Sequence, residues 1–317
     1  FFLFYPNFFS FNNFGGRLPQ MKLDIINMAA CYGCDKGGVE LAPKMLIDND
    51  LESILKNCNH KINKIIDIEI EQNFDDKFKE NKYIKYFDKI IPSVTALSEQ
   101  ICKSYSENNF PLVLGGDHSI SIGSLAGFSN FFKNTGVIWI DAHGDLNTPS
   151  TSPSCNAHGM PLACSLGYGD EKFLSLFKNK IDPRNVFLFG VRSLDDGEKD
   201  FIIKNEMHIY DTNSFNLLNP ELMINTLKKY VSKNKIHNFH LSFDIDVFDP
   251  VYVPGTGTPV KNGLYVDEIK SFLDKLLSAI NIVSMDFVEF NPLLDKDNQT
   301  LNLCLEILEF LFRRINK

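Results

Sequence analysis

Positive charge is scarce in this chain of 317 residues: 32 lysines and arginines stand against 40 aspartates and glutamates, a formal net charge of −8. A chain without a basic excess has little with which to neutralise phosphates, so neither nucleic acid nor a membrane is expected as a partner. Cysteine is sparse as well. Seven in a chain this long give neither the density nor the even count of a disulfide scaffold, so free thiols and a cytoplasmic setting are expected. Long apolar runs are missing too. The first fourteen residues carry eight aromatics, but Pro6 and Asn7 interrupt them and the run is too short to span a bilayer. Residues 1–21 are read as an aromatic arm docked on the protein's own surface, the remnant of a targeting segment being the alternative.

What is present is an ordinary globular composition, 44% hydrophobic and 23% charged, which excludes disorder and fibrous structure. Short apolar runs at 23–28, 62–70, 111–115, 136–141, 185–190, 206–210, 237–243 and 280–286 read as strands. Helix-period stretches lie near 40–48, 92–108, 119–133, 196–205, 219–233, 265–279 and 299–314. This alternation predicts a three-layer α/β/α fold around an eight-stranded parallel sheet. No repeat or Pro/Gly/Ser-rich linker divides residues 22–317, which are expected to form a single domain. The charged, weakly periodic stretch 71–90 is read as a surface excursion.

Strands such as Val-Ile-Trp-Ile-Asp and Phe-His-Leu-Ser-Phe-Asp are apolar until their last residues, where acids appear. In open parallel sheets ligands bind at the carboxyl ends of the strands, so polar residues there are site candidates. Gly115-Gly116-Asp117-His118-Ser119 follows the third strand and Asp141-Ala142-His143-Gly144-Asp145 the fourth. Asp244-Ile245-Asp246, with Asp249 beyond, follows the seventh strand, and Asp286 and Glu289 follow the eighth. A single D-x-D or D-x-H is usually a turn or a capping acid. Four such segments at strand ends stack buried carboxylates with imidazoles, which is costly unless a cation sits among them. The period of two lets both members of each pair address one cavity. Carboxylate and imidazole donors without thiolate favour Mn, Mg or Fe over structural zinc. Two divalent ions would balance Asp141, Asp145, Asp244 and Asp246, and such a pair ionises a shared water, the signature of a hydrolase.

The motifs GGDHS at 115–119, DAHGD at 141–145 and SFDIDVFDP at 242–250 together resemble the signatures of the ureohydrolases, manganese enzymes that release urea from guanidino compounds. The resemblance runs from GGVELAP at 37–43 to DFVEFNP at 286–292. It implies two Mn2+ per chain, one held by His118, Asp141, Asp145 and Asp244, the other by Asp141, His143, Asp244 and Asp246, with Asp141 and Asp244 bridging. The loop from Asp145 to His158 resembles the arginase branch of that family. It implies that Asn147 and Ser154 bind a substrate α-carboxylate with help from Ser152 and Asn156, that Asp195 takes the α-amino group, and that Glu289 takes the guanidinium. Thr258 matches a threonine on the urea side, Val260 stands where agmatine-specific members usually carry a glutamate, and Ser193 replaces an acid seen in some relatives. The implied reaction is hydrolysis of L-arginine to L-ornithine and urea by a metal-bridging hydroxide. Asp145 would pass the proton to the leaving amine, and His158 would exchange protons with solvent. A homotrimer is the expected assembly. A sister enzyme acting on agmatine or another guanidino compound, and a non-catalytic metal-binding protein of the same fold, are the alternatives.

The remaining signals are read as structural. Cys31-Tyr-Gly-Cys34 has no second pair to complete a zinc site, and Cys155 and Cys164 are taken as packing thiols. His60, His208, His237 and His240 are read as surface or satisfied core, Asp249-Pro250 as a turn, and Gly115-Gly116 lacks the Lys-Ser/Thr of a phosphate loop.

Overall fold

The computed structural model describes residues 20–71, 76–218 and 220–315. The aromatic stretch at 1–19 lies outside the described residues. Met21, at its end, is tied to the fold: its N–H donates to His60 Nδ1 and its carbonyl accepts from Lys61 N.

Eight strands form one parallel sheet: β1 (Lys22–Met28), β2 (Lys61–Asp67), β3 (Phe110–Gly115), β4 (Gly136–Ile140), β5 (Val186–Phe189), β6 (His208–Tyr210), β7 (Phe239–Asp244) and β8 (Ile282–Val288). Their spatial order is β2-β1-β3-β8-β7-β4-β5-β6. The strands β3, β8, β7 and β4, adjacent at the centre of the sheet, are those whose following loops carry the acidic motifs.

The inner strands β3, β4, β5, β7 and β8 are buried on both faces and read as near-continuous apolar runs, whereas the edge strand β2 alternates exposed and half-buried residues. Leu23 and Ile25 of β1, Leu112 and Leu114 of β3, and Leu241 and Phe243 of β7 point to one face. There they pack against helices at Ala42–Asp48, Leu51–Asn57, Pro220–Asn234, Val266–Leu277 and Gln299–Phe312. Ile26, Val113 and Trp139 point to the other face, covered by Phe87–Ser106, Ser121–Phe131 and Pro161–Ser165. The three-layer α/β/α expectation is met. All seven cysteines are free thiols, as expected.

Several boundaries differ from the sequence reading. The helix expected from residue 92 begins at Phe87, with Pro92 inside it. Proline is best tolerated in a first turn, which misplaced the start. Ser93 Oγ bonds back to the carbonyls of Lys89 and Ile90 beside the proline, and the buried positions 87, 90, 94, 97 and 101 repeat at helical spacing. The stretch 71–90 is accordingly more than a surface excursion: Ile84 is fully buried and Lys85 nearly so. β8 lies two residues later than expected, so Asp286 sits within the strand instead of beyond it.

Candidate active site

At the carboxyl edge of the sheet, the backbone itself shapes the first motif. Gly116 is pressed against the preceding loop, where a Cβ would sit 1.8 Å from the Ala30 carbonyl, so only glycine fits. Asp117 then caps the short turn at His118–Ile120, accepting from Ser119 N at 2.9 Å, and its Oδ2 accepts from Gly33 N at 2.9 Å. Burial and the nearby Glu289 raise the Asp117 carboxyl to about 6. This turn aims His118 inward.

His118 Nδ1 lies 3.0 Å from Asp141 Oδ2, 3.1 Å from Asp145 Oδ2 and 3.1 Å from Asp244 Oδ2, yet it makes no hydrogen bond with any of them. Its other ring nitrogen, Nε2, is 2.8 Å from Ser242 Oγ. His143 Nδ1 sits 3.0 Å from Asp246 Oδ2 and 3.4 Å from Asp141 Oδ1. Two groups of donor atoms converge in this way: His118, Asp141 and Asp244, and Asp141, His143 and Asp246. Asp141 belongs to both, with one oxygen toward each. Asp244 belongs to the first group, and its Oδ1 accepts from Asp246 N at 2.8 Å.

The electrostatics call for a cation. Burial disfavours charge on His118, but the carboxylates of Asp141, Asp145 and Asp244 outweigh it and hold the imidazole well above its ordinary range. His143 is raised in the same way, burial being overcome by Asp246 and Asp141. Burial with the charge of Asp246 raises Asp244, and burial with that of Asp141 raises Asp145 to about 6. Without a metal, protons on the imidazoles have to neutralise the acids. A six-coordinate ion with bonds of about 2.1 Å holds neighbouring donors about 3.0 Å apart, and the spacing around His118 Nδ1 matches that. The donor set therefore fits hard divalent ions of the Mn or Mg type.

Two of these residues adopt left-handed backbone conformations that side chains rarely favour, Asp145 (φ +50°) and Glu289 (φ +65°). Each is held by its neighbours. The Asp145 carbonyl accepts from Leu162 N and Ala163 N, while Glu289 donates its N–H to the Gly116 carbonyl and accepts at Oε1 from His118 N. The same Oε1 lies 3.2 Å from His158 Nδ1. Burial opposes protonation of His158, but Glu289 raises it to about 9.

A cleft of about 130 Å³ opens over the donors, lined by His118, His143, Asp145, Asp244 and Glu289 at its floor. Asn147, Ser152, Ser154, His158, Ser193, Asp195 and Thr258 stand around it. Thr258 Oγ1 donates to Asp246 Oδ2 at 3.1 Å, and Asn147 Nδ2 to Asp195 Oδ2 at 2.8 Å. Cys155 N donates to Ser152 Oγ and Asn156 N to Ser154 Oγ. Each hydroxyl oxygen is thus anchored by backbone, and the pair retains O–H capacity for an anion.

Two residues expected at the site lie outside the cleft lining. Asn156 does not line the cleft: it is buried, with Nδ2 3.0 Å from Asp35 Oδ2 and Oδ1 2.8 Å from Lys85 Nζ. Asp286 lies beneath the floor, fully buried, with Oδ2 2.8 Å from Ser121 Oγ and 3.1 Å from His240 Nε2. It faces the second apolar layer, where His240 and Ser121 supply its partners. His240 and His60 are satisfied core residues, and Asp249 shapes a turn through Val251 N and Gly263 N, all as expected. The sequence reading missed Glu198, which lines the cleft, accepts from Leu146 N and Asp195 N, and is raised to about 7 by burial against those two bonds. Its D-D-G-E context reads as a helix start, a capping box it does form, so the motif alone concealed it.

Fold and donor set together define a three-layer α/β protein with a candidate carboxylate–imidazole metal centre at the carboxyl edge of its sheet. The chain belongs to the arginase family, whose model matches residues 24–312. It is 38% identical over 291 residues to an arginase of Staphylococcus aureus, covering 92% of this chain and 96% of that one. Its backbone superposes on the arginase of Bacillus caldovelox with a TM-score of 0.87 at 36% identity, covering 92% of this chain and 98% of the other. Against an arginase of Entamoeba histolytica solved in complex with L-ornithine, the TM-score is 0.83 at 31% identity, with the same coverage.

Proposed function

We propose that this enzyme hydrolyses L-arginine to L-ornithine and urea, using two Mn2+ ions per chain. The observation that carries the reading is one cleft that holds a carboxylate–imidazole cluster at its floor and a hydroxyl-bearing turn at its rim. His118, Asp141, Asp145 and Asp244 would hold one ion, and Asp141, His143, Asp244 and Asp246 the other. The two-sided placement of Asp141 supports its bridging role, and Asp244 stands in the first group of donors. When bound, the ions make water a nucleophile at neutral pH. The relatives are named arginases, and one binds L-ornithine, the amino-acid product of this reaction.

The chain's own groups account for the rest. Glu289 is anionic, lines the cleft and is engaged by protein only at Oε1 among the described residues, leaving Oε2 for the guanidinium. Asn147 and Ser154, with Ser152 beside them, bind the α-carboxylate, and Asp195, whose Oδ2 also accepts from Asn147 Nδ2, accepts from the α-amino group. Water adds to the guanidinium carbon, and the Asp145 carboxylate takes its proton and gives it to the departing side-chain nitrogen. The C–N bond to that nitrogen breaks, releasing urea and leaving the amine of ornithine. His158, held protonated by Glu289 and partly exposed, exchanges protons with solvent. A homotrimer and a cytoplasmic setting complete the proposal; among the described residues no helix is long and apolar enough to cross a membrane.

The test is release of urea and ornithine from L-arginine and from agmatine, with added Mn2+ and with chelator. Release from arginine that chelator abolishes supports the reading. Preference for agmatine would move the protein to a sister activity.

A further inference from the structure

Behind the cleft rim, outside the donor cluster, lies a knot of three side chains from distant segments. Lys85 belongs to the irregular stretch before the helix at Phe87–Ser106, Asp35 to the loop after β1, and Asn156 to the turn that carries Ser152 and Ser154. The Lys85 ammonium lies 2.6 Å from Asp35 Oδ1 and 2.8 Å from Asn156 Oδ1, and Asn156 Nδ2 closes the triangle on Asp35 Oδ2 at 3.0 Å. Lysine loses much side-chain entropy when immobilised and rarely buries its ammonium unless it is paired, yet Lys85 is only 9% exposed.

The turn needs such a hold. Cys155, between the second serine and Asn156, has φ +59°, a conformation that strains a residue with a side chain. Its carbonyl accepts from the backbone N–H of Lys85 at 3.0 Å. Just beyond, His158 N donates to the Gly33 carbonyl at 3.1 Å, so the Asp35 loop grips the same turn a second time. Two of the three bonds of Lys85, to the Cys155 carbonyl and to Asn156 Oδ1, therefore fall on or beside the strained residue that follows the two serines, and the third, to Asp35, ties them to the loop after β1.

We propose that Lys85 is a positioning residue for the amino-acid end of the substrate, acting through Asp35, Asn156 and the Cys155 carbonyl to hold the Ser152–Ser154 turn in its binding conformation. Asn156 thereby serves as a structural partner of that turn and not as a carboxylate ligand. The part concerning substrate rests on the proposed arginine reading; the clamp itself does not.

Two measurements separate them. In amide hydrogen exchange on the intact protein without substrate, Lys85→Met should raise exchange at residues 152–158 by about 10-fold, and Lys85→Arg, which keeps the charge, should lie nearer wild type. Unchanged exchange in Lys85→Met overturns the clamp whatever the substrate is. In steady-state kinetics Lys85→Met and Asp35→Asn should each raise KM for L-arginine by about 10-fold with kcat within about twofold. A matching loss in kcat with KM unchanged overturns the positioning role, because the lesion would then have reached the floor of the cleft. Raised exchange in a protein whose wild type releases no urea from arginine would uphold the clamp and reject the arginine reading.

Discussion

The indole of Trp139 lies flat on the imidazole of His118, ring centroids 4.3 Å apart and planes 2° from parallel, while its Nε1–H donates to Asp141 Oδ2 at 3.1 Å. One buried side chain thus fixes the plane of one proposed ligand and an oxygen of another. With Ser242 Oγ on His118 Nε2, the ring has little freedom left, and its Nδ1 is committed to the cluster. Groups behind metal ligands commonly contribute about 10- to 100-fold in affinity.

Trp139→Phe keeps much of the ring stack and removes the N–H. Manganese affinity should fall by about 10-fold with the fold intact, read by titration in metal-buffered solution alongside circular dichroism. Unchanged affinity in a folded variant would show that Asp141 needs no help from behind.

His158→Asn should retain metal and raise KM for arginine little, while kcat falls and added imidazole restores part of the loss. Glu289 keeps His158 protonated to about 9, so the wild-type imidazole is a proton donor across the neutral range. An outcome in which KM rises and kcat holds would make His158 a binding residue.

Away from the site, His60 gives a pH-dependent stability that does not involve metal. Its Nδ1 accepts from Met21 N and its Nε2 donates to the Phe312 carbonyl at 2.7 Å, which requires the neutral ring. Burial lowers its pKa below 6.5, with the Phe312 carbonyl opposing. The unfolded chain then binds the proton more readily, so this contribution is complete above pH 6.5 and is lost as pH falls through the lower folded value. In His60→Gln the fall in unfolding midpoint below pH 6.5 should be shallower than in wild type. Parallel curves for the two proteins would remove His60 as the cause.

The acids and imidazoles of the floor were legible because their spacing and position at strand ends are one-dimensional signals. Asp141 and His143, or Asp244 and Asp246, declare themselves within three residues of each other. The strand order was not readable from such signals, since β3 and β4 are consecutive in sequence but separated by β8 and β7 in the sheet. Lys85 and Asp286 were illegible for the same reason: their partners lie 50 and 71, and 46 and 165, residues away. Pairing at that range leaves no local pattern, and Asp286 beside Glu289 imitated the strand-end rule that located the true floor.

The rim offers the sharpest test of substrate. Ser152→Ala with Ser154→Ala removes two hydroxyls whose oxygens are held by Cys155 N and Asn156 N, and leaves the metal donors untouched. Loss of two donors to a charged group should lower kcat/KM for arginine by about 2 to 4 kcal/mol, less if water replaces them at this open rim. Agmatine has no carboxylate, so its turnover, whatever its level, should change little. Asp195→Ala separates the amine side: it removes the carboxylate proposed for the α-amino group, which arginine and agmatine share, and should weaken both substrates. The ratio of kcat/KM for arginine to that for agmatine, measured across wild type, the double serine variant and Asp195→Ala, distinguishes the two sides. A ratio unmoved by the serine pair would mean that the carboxylate is recognised elsewhere, and the hydroxyl-bearing turn would no longer support arginine over its decarboxylated analogue.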